Sequence, residues 1–410
     1  MLFKLICALA LILTYVYSLA VRIMNWRSGE RPVPECVSDV YDPETYARRK
    51  QYNAEKSRHS IFALTASFII EMALLMSNAY AGFASLFPGN DHLKIFAVVL
   101  LSALASLPII PFEYYDTMII EAKYGFNKTS KKTFFSDQIK NFIISVILTW
   151  GIATILMLIH RALGDWLILV FAGAMVLIGL AISFLYPVFS KIFNKFKPLE
   201  EGELRSKLAE MLESHGYHVR DIKVMDASRR TTKSNAYFTG FEKMKTIVLY
   251  DTLVEAMEPD EICAVFAHEM GHGLHRDTLK NQLLSVLQML IIGVLAWLTL
   301  RTPELFAAFG FDRINYGFAV LLIMTVEFAL ISPLFGLLAN AVSRRAEYRA
   351  DAQAVKEGYA DELVSALKKL ARQNFSDLSP HPALVKLEYS HPTLAQRIEA
   401  IDRLKKENSK

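Results

Sequence analysis

His268-Glu269-Met270-Gly271-His272 forms the pattern H-E-x-x-H, and its chemistry is specific. Residues four apart on a helix share a face, so the two imidazoles can point at one ion. Glu269 is turned about 100° from His268 and can reach a water without ligating the metal itself. Zinc suits this donor set: it lowers the pKa of a water, and a neighbouring carboxylate can take the proton as the water attacks a peptide carbonyl. An ordinary helix carrying two histidines by chance would satisfy the same pattern. The flanking residues favour a helix, with Pro259-Asp260-Glu261 as its start and Ile262, Val265, Phe266 and Met270 as an apolar face.

A third ligand is required. The extended pattern H-E-x-x-H-x-x-G-x-x-H is absent, because Thr278 stands where its last histidine would fall. His275 is expected to be a supporting or surface residue, since a ligand there would have to bend back along a rigid helix. The stretch Ser343-Arg344-Arg345-Ala346-Glu347-Tyr348-Arg349-Ala350-Asp351 offers Glu347 and Asp351 four apart. One can ligate while the other orients a ligand histidine. A solvated, Arg-rich helix is the competing reading of this stretch. Two histidines and one carboxylate would leave open the position that a catalytic water needs.

These residues must be held by a chain that is mostly apolar. Of 410 residues, 53% are hydrophobic and only 21% charged. The mean hydropathy is +0.27. The formal net charge of +4 is small and interleaved with acids, which excludes an electrostatic nucleic-acid footprint. Three cysteines, Cys7, Cys36 and Cys263, form no Cys-x-x-Cys pair and no disulfide framework.

Seven stretches are long enough to cross a lipid bilayer as helices: near Leu2–Val21, Ile61–Phe87, Leu93–Phe112, Phe142–His160, Trp166–Phe189, Asn281–Leu300 and Tyr316–Val342. The first could be a cleaved signal peptide, with Lys4 ahead of it and Ser18-Leu19-Ala20 after it. Charge favours an uncleaved anchor. The loops Arg22–Ser60 and Glu113–Asn141 are rich in Lys and Arg, whereas the alternate short loops carry little beyond Arg161, Arg301 and Arg313. Seven spans put every basic loop on one side, which the positive-inside rule makes cytoplasmic, with the amino terminus outside.

Four segments follow: 1–190 with five spans, 191–280 with the histidine helix, 281–342 with the last two spans, and a helical 343–410. Within the second, an acidic start at Pro198-Leu199-Glu200-Glu201 leads into a helix through Leu204, Leu208 and Leu212 that stops at Gly216. Strands are expected over Ile222–Met225, Asn235–Phe241 and Thr246–Tyr250, with a turn near Glu242-Lys243. The last segment carries a break near Pro380–Pro382. Glu71 and Glu327 lie inside apolar runs, where charge is costly unless it meets water or a partner.

Several segments carry a resemblance more specific than the zinc pattern. They are Tyr124-Gly125-Phe126-Asn127-Lys128-Thr129, Phe193-Asn194-Lys195-Phe196-Lys197-Pro198-Leu199 and Asn235-Ala236-Tyr237-Phe238-Thr239-Gly240-Phe241. Ile247-Val248-Leu249-Tyr250-Asp251-Thr252-Leu253 and Ser390-His391-Pro392 with Arg397-Ile398 complete them. Together the chain resembles the type-I CAAX prenyl protease family of integral-membrane zinc endopeptidases over nearly its whole length. The resemblance implies a multi-pass α-helical membrane protein, seven spans around an intramembrane chamber, with an α+β gluzincin-like zinc-protease domain on the cytoplasmic side. It implies one Zn2+ per chain on His268, His272 and Glu347, with Glu269 catalytic and Asp351 supporting a ligand. It further implies that Asn235 sits on an edge strand pairing with the substrate backbone. His391 and Arg397 would lie near the scissile carbonyl; without the resemblance, His391 reads as a capping or surface residue. The implied substrate is a peptide or membrane protein, with prenylation open.

Two departures stand out. Gly273 follows the second histidine where many relatives have an aromatic, and the terminal Lys405-Lys406-Glu407-Asn408-Ser409-Lys410 is no dilysine retrieval signal. The second favours a bacterial inner membrane over the endoplasmic reticulum. The rival readings are a quality-control protease of the HtpX type, which does not resemble the long region before Lys191, and a non-enzymatic transporter or scaffold.

Overall fold

The computed structural model describes residues 1–87, 89–127, 129–167, 170, 173–174, 177, 195–226, 228, 236–239 and 244–408. The chain divides into two compact units. One comprises Met1–Gly29, Arg48–Val176 and Val286–Gly336; the other comprises Glu30–Ala47, Leu177–Ser285 and Leu337–Lys410.

The first unit is built from long apolar helices. Among the described residues, six helices are long and apolar enough to cross a membrane. Helix α1 is Leu2–Ser28, α2 Pro43–Met76, α3 Asp91–Tyr124 and α4 Lys131–Leu163. Two later helices, spanning Leu279–Leu300 and Tyr316–Lys356, complete the six. The expected fifth span, Trp166–Phe189, falls largely outside the described residues. The expected second span, Ile61–Phe87, is interrupted: α2 ends at Met76, Asn78 adopts a left-handed φ of 57°, and a short helix Ala79–Ser85 follows. The unit's core gathers Ile95, Val98, Met157, Phe306, Phe309 and Phe318. Much apolar surface stays outward, Leu13, Phe62, Ile147 and Leu148 being more than half exposed, as a lipid-facing surface requires. Glu327 resolves its burial in part through Thr299, whose Oγ1 donates to Glu327 Oε1 at 2.6 Å.

The second unit is α+β. Its strands are β1 (Phe196–Pro198), β2 (His218–Met225), β3 (Ala236–Thr239) and β4 (Met244–Tyr250), in the order β1-β2-β4-β3. β2 and β4 are parallel, and β1 and β3 flank them antiparallel. Pro198, expected to open a helix, instead ends edge strand β1, where its missing N–H costs no central ladder bond. The helix that follows, α5, is Glu203–Ser214, and Leu208 and Leu212 bury its apolar stripe.

Helix α6 (Pro259–Leu274) carries the histidine pair. A reciprocal capping box starts it, the Glu258 and Glu261 side chains each meeting the other's backbone, with Pro259 at the first turn. Helix α7 is Asp277–Leu300, and α8 runs Tyr316–Lys356 through a π-helical turn at Ile323–Glu327 and past Pro333. Helices α9 (Ala360–Gln373) and α10 (Leu394–Asn408) close the unit. Its core joins Leu212, Ile247, Leu249, Phe266, Met270 and Leu363. The segment Glu30–Ala47 packs within this unit as well, with the Tyr41 hydroxyl donating to Ala371 O at 2.8 Å.

Candidate metal centre

The buried face of α6 presents His268, and one turn on, His272. The opposing helix is α8, whose Glu347 and Asp351 are both buried. Gly271 allows these two helices to meet. A Cβ there would stand 2.8 Å from the Ala350 Cα and 3.1 Å from the Gln353 Cβ, so only glycine fits without movement.

This close approach brings three donors together. Ligand atoms of His268, His272 and Glu347 all lie within 4.8 Å of one another. His268 Nε2 is 3.6 Å from Glu347 Oε2, and His272 Nε2 is 3.4 Å from Glu347 Oε1. Each imidazole is fixed from behind. His268 Nδ1 donates to Asp351 Oδ1 at 2.9 Å, and His272 Nδ1 donates to Asp277 Oδ2 at 3.2 Å. With Nδ1 protonated in both rings, both Nε2 lone pairs face the Glu347 carboxylate. Glu347 Oε2 is buried with no hydrogen-bond partner among the described residues. Two imidazoles and a carboxylate, one of its oxygens unsatisfied, fit a divalent zinc-type ion.

The charges around this cluster are arranged in layers. Arg397 holds Asp351 by a bidentate pair, Nε to Oδ2 at 2.9 Å and Nη2 to Oδ1 at 2.6 Å, and its Nη1 lies 3.5 Å from Glu347 Oε2. The family resemblance puts Arg397 near a scissile carbonyl; its guanidinium also pairs with the carboxylate that orients His268. Asp277 accepts from Arg349 at 2.7 Å and from Lys280 at 3.1 Å as well as from His272. Burial lifts the Glu269 carboxyl above its ordinary range, with His268 and His272 pulling the other way. Burial would lower the His272 imidazole, but Glu347 and Asp277 outweigh it and, with protein groups alone, raise it to about 9.

Sequence reasoning misses Asp277. Its signal is local: α6 stops after Leu274, Arg276 takes a left-handed φ of 55°, and the chain turns so that Asp277 faces His272. His275 is the helix cap, its Nδ1 bonded to Gly271 O at 2.8 Å, outside the cluster. His391 is well exposed, yet its Nε2 lies 3.4 Å from Glu347 Oε1. Asn235 lies outside the described residues. The strand after it, β3, is the sheet edge next to β4.

Comparison with known proteins agrees with this architecture. Residues 198–405 match peptidase family M48, and residues 22–195 match the family described as CAAX prenyl protease N-terminal, five membrane helices. A CAAX prenyl protease 1 homolog of Arabidopsis thaliana is 33% identical over 412 residues, 96% of each chain. CAAX prenyl protease 1 of Saccharomyces cerevisiae is 31% identical, covering 91% of this chain and 89% of its own. Among solved structures, that of S. mikatae Ste24p superposes with a TM-score of 0.81 at 29% identity, covering 98% of this chain and 99% of that one.

Proposed function

This chain belongs to peptidase family M48, as a multi-pass membrane metalloendopeptidase of the CAAX prenyl protease kind, and from that premise we propose that His268, His272 and Glu347 hold one Zn2+ while Glu269 is the general base of peptide hydrolysis. The observation that carries the assignment is the convergence of both Nε2 atoms on a carboxylate whose buried Oε2 has no hydrogen-bond partner among the described residues. When bound, Zn2+ supplies Lewis-acid polarisation of a carbonyl and of water.

The protein's own groups do the rest. Glu269 accepts the proton of the attacking water and passes it to the departing amine nitrogen. With protein groups alone, burial raises its carboxyl above the usual carboxylate range. Asp351 and Asp277 hold the two imidazoles in the tautomer that frees Nε2, and Arg397 is a positioning residue that fixes Asp351. His391, exposed beside Glu347, can donate a hydrogen bond to the developing oxyanion. Asn235 precedes the edge strand β3, to which an extended substrate can add as a further strand.

The relatives' names, CAAX prenyl protease 1 and its homolog, support a CAAX-type peptide or membrane-protein substrate. Segments 191–280 and 343–410 supply the peptidase residues, and the basic-loop asymmetry supports a cytoplasmic facing for them. The relatives named above are eukaryotic and lend a bacterial inner membrane no support.

Purified protein should contain one zinc per chain and cleave a farnesylated CAAX peptide faster than the unmodified one. Glu269→Gln should keep the zinc and lose activity by about 10²–10⁴-fold. Retention of more than about a tenth of the activity removes Glu269 from the base role. A cysteine introduced at Ser409 should resist impermeant labelling in intact cells; ready labelling reverses the facing.

A further inference from the structure

The first unit contains a cavity of about 440 Å³ that the peptidase chemistry does not use. Four helices line it, each contributing residues near one end of its apolar run. Arg22 directly follows the apolar run of α1, and His59 and Ser60 directly precede that of α2. Phe112 and Glu113 stand where the run of α3 ends, and Gln138 lies shortly before that of α4. The cavity therefore sits at the boundary between hydrocarbon and polar sequence on all four helices at once. In a bilayer, that boundary is the depth of lipid headgroups.

Its polar groups are unevenly satisfied. Lys56 is engaged by Glu121, with Asp116 at 3.6 Å. The His59 Nε2 atom is bonded to Phe112 O at 2.7 Å. Gln138 donates to Glu113 Oε2 at 2.6 Å, which leaves the other Glu113 oxygen for a further donor. Arg22 differs. Its Nε is buried with no hydrogen-bond partner among the described residues, and a buried guanidinium donor calls for an acceptor, best an anionic one. The cavity thus presents an unanswered cation and, on α3, the carboxylates Glu113 and Asp116, above the aromatic walls of Phe112 and Phe134.

We propose that this cavity binds the headgroup of a zwitterionic phospholipid with a primary ammonium, of the phosphatidylethanolamine class. The phosphate lies against Arg22, the ammonium against Glu113 and Asp116, and the acyl chains run along the apolar helix faces. An anionic lipid such as phosphatidylglycerol brings the phosphate charge without an ammonium to answer Glu113 and Asp116. A choline headgroup would present no N–H to them. The mixed charge of the lining selects against both.

The test uses the full-length protein in detergent, stripped of lipid. Native mass spectrometry and thermal shift would follow added phosphatidylethanolamine, phosphatidylcholine, phosphatidylglycerol, free phosphoethanolamine and inorganic phosphate. One phosphatidylethanolamine should bind per chain in preference to the other two lipids. Arg22→Gln should weaken it by about tenfold or more, as loss of a charge-assisted hydrogen bond does, and Arg22→Lys should retain most of the affinity. Glu113→Gln, read independently, should erase the preference over phosphatidylcholine while phosphate-dependent binding persists. Equal binding of all three lipids, tighter binding of phosphatidylglycerol, or undiminished binding by Arg22→Gln overturns the proposal. If free phosphoethanolamine or inorganic phosphate matches the lipid's effect, the occupant is a soluble phosphate compound and the lipid assignment fails.

Discussion

Replacing Gly271 by alanine adds one methyl group and should disable the metal centre. On helix propensity alone the change is favourable, since glycine in a helix interior costs about 1 kcal/mol relative to alanine. Packing opposes it. The new Cβ would lie 2.8 Å from the Ala350 Cα and 3.3 Å from the Ala350 carbonyl oxygen, both backbone atoms that no rotamer change can move. Carbon atoms rest at about 3.5–4.0 Å, so α6 and α8 must separate by roughly 0.7 Å or more. His268 lies one turn before Gly271, and Glu347 one turn before Ala350, so that separation passes directly between the ligands. Metal sites tolerate about 0.2 Å of error in ligand distance. Overpacking of this kind costs about 1–3 kcal/mol, enough to cancel or exceed the propensity gain. Zinc content should therefore fall and kcat/KM should drop by about 10²-fold or more, the scale of a misplacement near 1 Å. Gly151, inside α4 with nothing within 4 Å of where a Cβ would stand, is the control: Gly151→Ala should leave zinc and turnover unchanged. Full zinc loading with wild-type kcat/KM in Gly271→Ala would refute the claim that this contact sets the ligand geometry.

Glu347→Ala should lose zinc sharply and abolish turnover, whereas Glu327→Ala should keep stoichiometric zinc, because Glu327 is bonded to Thr299 and belongs to no donor cluster among the described residues; the opposite pattern in metal analysis would overturn the ligand assignment. Asp277→Asn should weaken zinc affinity by about 10–100-fold with little change in fold, since the carboxylate behind His272 also holds Arg349 and Lys280; competition with a chelator measures it. Glu261 is buried, and although burial raises its carboxyl, Lys369, Ser365 and the Glu258 backbone together hold it below its ordinary value. Its folded pKa is thus depressed, so its stabilisation is present above the unfolded value near 4.5 and fades as pH falls through the lower folded value. Glu261→Gln should lower thermal stability near neutral pH, and the gap to wild type should narrow on acidification; a gap independent of pH would exclude the charge as its source.

Local sequence carries the parts of this protein that depend on periodicity and nearest neighbours. The spacing of His268 and His272 places both on one helix face, and the apolar runs specify spanning helices because backbone in lipid must bond to itself. The Glu347–Asp351 spacing identifies two carboxylates on one turn, and family resemblance singles out Glu347 as the ligand. What stays hidden depends on contacts between residues far apart in the chain. Sequence cannot show that Asp351, 46 residues before Arg397, occupies the fork of its guanidinium. Asp277 looks like an ordinary helix start until the left-handed turn at Arg276 aims it back at His272. Glu30–Ala47 reads as part of the loop Arg22–Ser60, yet Tyr41 is bonded to Ala371, 330 residues later. Gly271 occupies a position of H-E-x-x-H where any residue satisfies the pattern; the backbone of α8, 2.8 Å from where its Cβ would be, is what requires glycine there. Periodicity fixes which face of a helix is apolar or ligating, but only the packed chain decides what that face meets.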